Sequence, residues 1–137
     1  MKCFRAFFLG AFALVVSCRS NANTAQGVAE RFVEAHYVHM NLHDAQGYAV
    51  GPAQSKVAEE QKLIGDQAID ESTRKPSVTY VLKETRPEAA DQVIFVFEGT
   101  IRIEDADTFT RQWLVSTRLQ ADGQWKVSNF QDFDTRE

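Results

Sequence analysis

Four runs of alternating apolar and polar residues fill the second half of the chain and constrain its fold more than any other feature. They span residues 77–85, 92–104, 108–120 and 124–131. Runs of this length with a period of two, rich in β-branched and aromatic residues, predict β-strands with one buried face. Asp122-Gly123 before the last run is a strong hairpin signal. The pattern therefore predicts a four-stranded antiparallel meander.

The residues before these strands follow a helical pattern instead. Apolar and aromatic side chains recur at helical spacing over residues 28–40, and Asn23 or Thr24 is suited to cap the helix start. The segment 41–47 is predicted to end or break this helix. Gly51-Pro52 predicts the start of a second, shorter helix, because proline fits the first helical turn. Helices that precede a meander and cover one of its faces give an α+β fold.

The first residues have the features of an export signal. Lys2 and Arg5 provide a positive start, and Ala6–Val16 is an eleven-residue run without charge or polar side chains. A helix needs roughly 20 residues to span the bilayer core, so this run is too short to cross a membrane. It has the length of the apolar region of a signal peptide. We therefore predict that residues 1–22 are a signal peptide with a short linker, followed by a single domain over residues 23–137.

Two cleavage sites are compatible with this signal. Residues 15–18 resemble the lipobox of bacterial lipoproteins, which predicts cleavage before Cys18 and lipidation of that residue. Ser20-Asn21-Ala22 instead offers the small residues that ordinary signal peptidase requires, with cleavage after Ala22. Cys3 and Cys18 are the only cysteines. The domain itself is therefore predicted to have no disulfide, no cysteine metal site and no cysteine nucleophile.

The charge of the chain excludes some classes of partner. All 19 acidic residues follow Cys18, and two of the 15 basic residues belong to the signal, so the remaining chain has a net charge of −6. Nucleic-acid binding needs a basic surface, and so does electrostatic docking on anionic lipid. We expect no nucleic-acid partner, and membrane association only through a lipid anchor.

Two segments together resemble a known superfamily. The amphipathic helix over residues 29–37 comes first, and the last hairpin reads Asp-Gly-Gln-Trp-Lys-Val-Ser-Asn-Phe over residues 122–130. This order is similar to that of the NTF2-like (SnoaL-like, cystatin-like) superfamily. The resemblance implies a curved sheet wrapped around the first helix, forming a cone with a pocket at its open end. A simpler cystatin-like arrangement of helix and sheet remains an alternative. Because the superfamily includes enzymes and binding modules, it does not choose the function.

The candidate pocket residues are aromatic or polar residues at positions predicted to face the core. His36 lies near the centre of the apolar stripe and is either a core histidine or an acid–base group. Arg111 shares its strand face with Trp113, and a buried arginine needs a carboxylate or an anionic ligand as partner. The full set of candidate pocket residues is His36, Tyr37, Tyr80, Arg111, Trp113 and Asn129.

Other polar residues are not predicted to form a site. His36, His39 and His43 would lie within about 60° of one another if a single helix ran through residue 43. No cysteine or obvious carboxylate completes this set, so we predict no metal site, no cofactor and no catalytic set. Asp132 and Asp134 are expected to lie beyond the last strand, as solvated residues near the chain end.

These observations lead to one main hypothesis and two alternatives. The main hypothesis is a non-enzymatic protein of the periplasm or cell envelope that binds a small apolar or anionic ligand, another envelope protein or a second copy of itself. The first alternative is a SnoaL-like isomerase, dehydratase or hydrolase that uses His36. The second is a component of a secretion or envelope assembly. An enclosed cavity faced by both the His36 ring and the Arg111 head group would favour the enzyme, and a solid core there would exclude it.

Overall fold

The computed structural model describes residues 23–65 and 76–135. Three helical regions come first in this part of the chain, and four strands follow. The predicted signal segment, with its cleavage sites at Cys18 and Ala22, lies outside the described residues. No described helix is long and apolar enough to cross a membrane.

The first helical region changes its geometry halfway along its length. Helix α1 spans Ala25–Val33, and the Thr24 side chain caps it by accepting a hydrogen bond from the Gly27 N–H. The chain then continues as a π-helix over Glu34–Val38. The uniform helical spacing of the sequence did not predict this wider turn. π-Helical turns are uncommon and occur often at functional sites.

Two further helices follow a sharp break in the chain. Met40 has a φ of 52°, a left-handed conformation that ends the first helical region. Asn41 caps the short helix α2, Leu42–Gly47, by accepting a hydrogen bond from Asp44 N–H. Helix α3 spans Gly51–Ile64 and has a proline in its first turn, as predicted. The three histidines therefore do not share one continuous helix.

The four strands form one antiparallel sheet in the order β1-β2-β3-β4. Their bounds are Ser77–Ala89 for β1, Gln92–Arg102 for β2, Thr108–Leu119 for β3 and Trp125–Asp134 for β4. Register shifts interrupt the pairing in two places between β1 and β2 and in one place between β3 and β4. Such bulges bend a strand and increase its twist. The α+β meander and the fold class predicted from the sequence are confirmed.

Strands β1 and β4 extend further than the sequence pattern indicated. The predicted first strand ended at residue 85, but β1 pairs with β2 as far as Ala89. Pro87 is tolerated because β1 is an edge strand, where a missing N–H costs no ladder bond. At the other edge, β4 continues through Asp132 to Asp134. The prediction that these two aspartates lie beyond the last strand was therefore wrong.

The core lies between the helices and one face of the sheet, which we call the inner face. Helix α1 contributes Phe32 and Val33, and strand β2 contributes Phe95 and Phe97. The connection between α2 and α3 is attached to the free edge of β4, because Val50 N–H donates to the Val127 carbonyl at 2.9 Å. The helices thus cover part of the inner face. A pocket lies at the end of the sheet where β1 and β3 begin and β2 and β4 end.

Candidate functional site

An open cavity of about 320 Å³ lies between the π-helix and the end of the sheet where β1 and β3 begin and β2 and β4 end. Its volume is at the lower end of the range found for small-molecule sites. Apolar side chains form most of its wall, and a few polar side chains lie among them. The lining comprises His36, Tyr37, Met40, Pro76, Val78, Ile101, Ile103, Phe109, Arg111, Trp113 and Asp132.

The π-helix supplies two adjacent residues to this pocket. The His36 ring stacks on Phe32 with a centroid distance of 5.4 Å and meets the Tyr37 ring edge-on at 4.3 Å. In a regular α-helix, adjacent residues point about 100° apart and face different surroundings. The wider π-helical turn coincides with the placement of both side chains against the same cavity.

Glu60 of α3 holds the His36 ring. The distance from His36 Nε2 to Glu60 Oε2 is 2.7 Å, and the His36 side chain is only 10% exposed. Burial lowers the pKa of His36 below its ordinary value, although contact with the Glu60 carboxylate opposes this shift. The imidazole is therefore neutral near pH 7, and the hydrogen bond to Glu60 assigns its proton to Nε2. Nδ1 remains as an acceptor.

Tyr37 and Trp113 form the aromatic floor of the pocket. Their rings are nearly parallel, at an interplanar angle of 6°, and their centroids are 4.1 Å apart. The Tyr37 hydroxyl, Trp113 Nε1 and His36 Nδ1 are all buried, and none has a hydrogen-bond partner within the described part of the chain. Burial raises the pKa of Tyr37 well above its ordinary value, so the phenol is a donor at neutral pH. Unpaired buried polar atoms are rare in folded proteins and call for an explanation.

Arg111 lies between two carboxylates from the neighbouring strand. Its Nε is 3.0 Å from Asp132 Oδ1, and its second terminal nitrogen is 2.7 Å from Asp134 Oδ1. The Nε contact is an ion pair without hydrogen-bond geometry, since this buried N–H has no aligned acceptor among the described residues. Partial burial raises the pKa of Asp132, and the Arg111 guanidinium opposes that shift. The pair is partly exposed, with 32% of the Arg111 side chain and 39% of the Asp132 side chain accessible.

The structure brings four of the six candidate pocket residues together and places two elsewhere. Tyr80 lies on the inner face but donates its hydroxyl hydrogen to Glu34 at 2.8 Å, outside the pocket. Asn129 accepts a hydrogen bond from Lys56 at 2.6 Å, which connects α3 to β4. His36, Tyr37, Arg111 and Trp113 all line the cavity.

Two important polar residues, Glu60 and Asp132, were not predicted as site residues. Glu60 follows the buried Ala53 and Val57 at helical spacing, which was a usable signal that it faces the core. Asp132 lies two residues after Phe130 on β4, so strand alternation places both side chains on the inner face. The sequence prediction missed this because it ended the strand before Asp132. The described residues contain no group of three His, Cys, Asp or Glu side chains arranged to hold a metal ion.

A second open cavity of about 330 Å³ lies on the helical side of the domain. Three of its polar side chains are engaged within the protein, since Asn41 bonds to Asp44 at the start of α2 and Glu34 accepts the Tyr80 hydrogen bond. The first cavity is the stronger candidate because His36, Tyr37, Arg111 and Trp113, which line it, carry buried polar atoms without partners among the described residues. The outer face of the sheet is mixed in composition. Val81 and Phe133, its most exposed large apolar side chains, lie on opposite edge strands.

Comparisons with known proteins give structural neighbours only. No family model matches the sequence, and no curated protein matches it either. A ketosteroid isomerase-like protein from Erwinia carotovora atroseptica is 13% identical, with a TM-score of 0.59 over 86% of this chain and 99% of that one. An NTF2-like protein of unknown function from Shewanella oneidensis is 15% identical, with a TM-score of 0.53 over 78% and 93%. A cystatin-like domain from Nostoc punctiforme is 6% identical, with a TM-score of 0.59 over 80% and 74%.

Proposed function

Since the chain has the NTF2-like fold, we propose that this domain binds a small, mainly apolar and uncharged molecule in the cavity between the π-helix and the strand ends. The observation that carries the proposal is the composition of the cavity. Apolar side chains surround its mouth, and four of its lining side chains carry buried polar atoms that have no hydrogen-bond partner among the described residues. Sites for small molecules commonly combine an apolar wall with a few polar groups that fix orientation.

The mouth of the cavity favours an apolar ligand body. Ile103 and Phe109 are about 40% exposed there, on either side of the connection between β2 and β3. Burying apolar surface contributes roughly 25 cal/mol per Å². A ligand that covers these two side chains and contacts Val78 removes apolar surface of both molecules from water.

The charges near the cavity disfavour an anionic ligand, which the sequence had left open. Arg111 is the cation of the lining, and Asp132 and Asp134 already contact it. Glu60 adds a further carboxylate behind a neutral His36. An anionic head group would meet an excess of negative charge and would compete with two carboxylates for one guanidinium.

A titration with three ligands of one shape tests the proposal. Naphthylmethanol, naphthoate and naphthylmethylamine share an apolar body and differ in head-group charge. Calorimetry should show binding of the neutral alcohol and no tighter binding of the anion. Val78→Trp fills the cavity and should abolish binding, whereas Val81→Trp, on the outer face of the same strand, should not. Binding that survives Val78→Trp would contradict the proposed location.

A second candidate function is proton transfer on the bound molecule. Asp132 favours it, because this carboxylate lines the cavity and has a raised pKa, as general bases in enzymes often do. The carboxylate would take a proton from carbon next to a ketone, and the Tyr37 hydroxyl would stabilise the resulting enolate oxygen. Deuterium exchange into tetralone, followed by NMR, tests this function. Exchange no faster than in buffer rejects it, and Asp132→Asn should remove exchange while leaving binding intact.

We further propose that the domain is exported and held to a membrane through Cys18. Asn23 accepts a hydrogen bond from Trp125 N–H at 2.8 Å, so the N-terminus of the domain lies at the start of β4. Asp132, at the cavity, is seven residues along that strand, or about 23 Å away. Five residues from Cys18 to Asn23 reach at most about 17 Å. A lipid anchor at Cys18 would therefore hold the start of β4 close to the membrane, whereas the cavity lies toward the other end of that strand.

A further inference from the structure

Three of the buried polar atoms without partners among the described residues belong to adjacent aromatic rings of the cavity lining and form a complementary set. His36 Nδ1 is an acceptor, because Nε2 carries the proton that Glu60 accepts. Trp113 Nε1 is a donor, and the Tyr37 hydroxyl donates or accepts. The three rings are consecutive neighbours, with centroid distances of 4.3 Å and 4.1 Å. All three polar atoms are buried without a hydrogen bond to any described residue.

A group that fits this set must both donate and accept. We infer that the cavity selects ligands that carry a hydroxyl group, which donates to His36 Nδ1 and accepts from the Tyr37 hydroxyl, with Trp113 Nε1 as a second donor. A ketone oxygen accepts but offers nothing to Nδ1. An ammonium group donates but cannot accept. The inference rests on the proposed binding function and names the chemical class of its ligand.

Glu60 has a positioning role in this arrangement. Its contact with Nε2 fixes the tautomer of His36 and leaves Nδ1 able to accept. Without that contact, the proton could move to Nδ1, and the Tyr37 hydroxyl would then be the one acceptor left among the three groups. Selectivity for a hydroxyl therefore depends on a residue that does not line the cavity.

The side chain of Tyr37 controls access to the floor. The three polar atoms are sealed from water in the structure, so a ligand reaches them only after a small displacement of a ring. Trp113 is 1% exposed and fixed in the core. The Tyr37 ring is only partly buried, and no described residue holds its hydroxyl. Side-chain movements of this size are common on binding.

The experiment compares naphthylmethanol with methylnaphthalene, which lacks the hydroxyl. We expect the alcohol to bind at least about tenfold more tightly, because a buried site built for a hydroxyl leaves its own polar groups unpaired against the hydrocarbon. If neither compound binds, the proposed function fails. If both bind with equal affinity, the binding function stands and the inference about the hydroxyl is overturned.

Two variants locate the selectivity. Tyr37→Phe removes a hydroxyl that has no partner among the described residues, so the empty domain should be as stable as before or more stable, while the preference for alcohol should fall several-fold. Tyr80→Phe removes a hydroxyl outside the cavity and should leave the preference unchanged. An unchanged preference in Tyr37→Phe argues against the inference.

Nitrogen NMR of His36 provides a readout independent of affinity. The free domain should show the tautomer with the proton on Nε2, and the alcohol should shift the Nδ1 resonance whereas the hydrocarbon should not. Glu60→Gln should weaken the tautomer preference and reduce the selectivity for alcohol. A proton found on Nδ1 in the free domain would overturn the assignment.

Discussion

Gly99 is the residue at which a single methyl group should have the largest effect on the pocket. It lies on β2, diagonally across from Trp113 on β3. A Cβ atom added at Gly99 would lie within 2.7 Å of three atoms of the Trp113 ring. Favourable carbon contacts begin at about 3.5 Å. The indole ring thus lies in space that is open only because residue 99 has no side chain.

Gly99→Ala should therefore force the Trp113 ring out of its place. The ring is stacked on Tyr37 and almost fully buried, so it has little room to move. Inserting a methyl group into a packed core typically costs about 1–3 kcal/mol. The closeness of this contact favours the upper half of that range. For a domain of this size, we expect a decrease in Tm of about 8–15 °C.

Chemical denaturation measures the loss of stability, and near-UV circular dichroism detects the displacement of the Trp113 ring. Gly47→Ala is a matched control, because no atom lies within 4 Å of an added Cβ and the backbone there is helical. It should be neutral or stabilise by about 0.4–1 kcal/mol. Trp113→Phe should relieve part of the cost of Gly99→Ala, which a double-mutant cycle would reveal as coupling. A Gly99→Ala variant as stable as the original protein would refute the reasoning.

Three further predictions concern other parts of the chain. The pKa of His36 is lowered in the folded state, so the unfolded chain binds a proton at His36 more tightly than the folded domain does. The free energy of unfolding should therefore decrease as the pH falls below the ordinary histidine pKa of 6.5. His36→Gln should flatten the decrease in Tm between about pH 7.5 and pH 5.5. Lys56→Met removes hydrogen bonds between α3 and β4 and should cost about 1–3 kcal/mol in urea unfolding, whereas Lys62→Met, exposed on the same helix, should cost far less. The intact mass of the protein isolated from membranes should correspond to a chain that begins at acylated Cys18; a soluble product that begins after Ala22 would contradict tethering.

The sequence alone was sufficient for the fold class and the order of elements. Alternation with a period of two and the Asp122-Gly123 turn specify strands and a hairpin through local physics that does not depend on distant residues. The first helix was predicted for the same reason, with Asn23 or Thr24 as its cap, and Thr24 is the residue that caps α1. Sequence parity also placed Arg111 and Trp113 on one face of β3, and both line the cavity.

The composition of the site depended on contacts between distant segments. Glu60 meets His36 across 24 positions of sequence, and Asp132 meets Arg111 because β4 pairs with β3 further than its own pattern indicated. The π-helix also could not be predicted, since its apolar spacing still resembles that of an ordinary helix.

Periodic patterns determine which face a residue occupies, and this is why the sequence yields strands, helices and the parity of Arg111. They do not determine which side chain from another element comes to lie opposite it. That pairing is fixed by packing, strand register and the geometry of the helix turn, which arise only when the whole chain is folded. The four-stranded meander could therefore be predicted from the sequence. The unpaired polar atoms beneath the cavity, on which the proposed ligand class depends, were decided by tertiary structure alone.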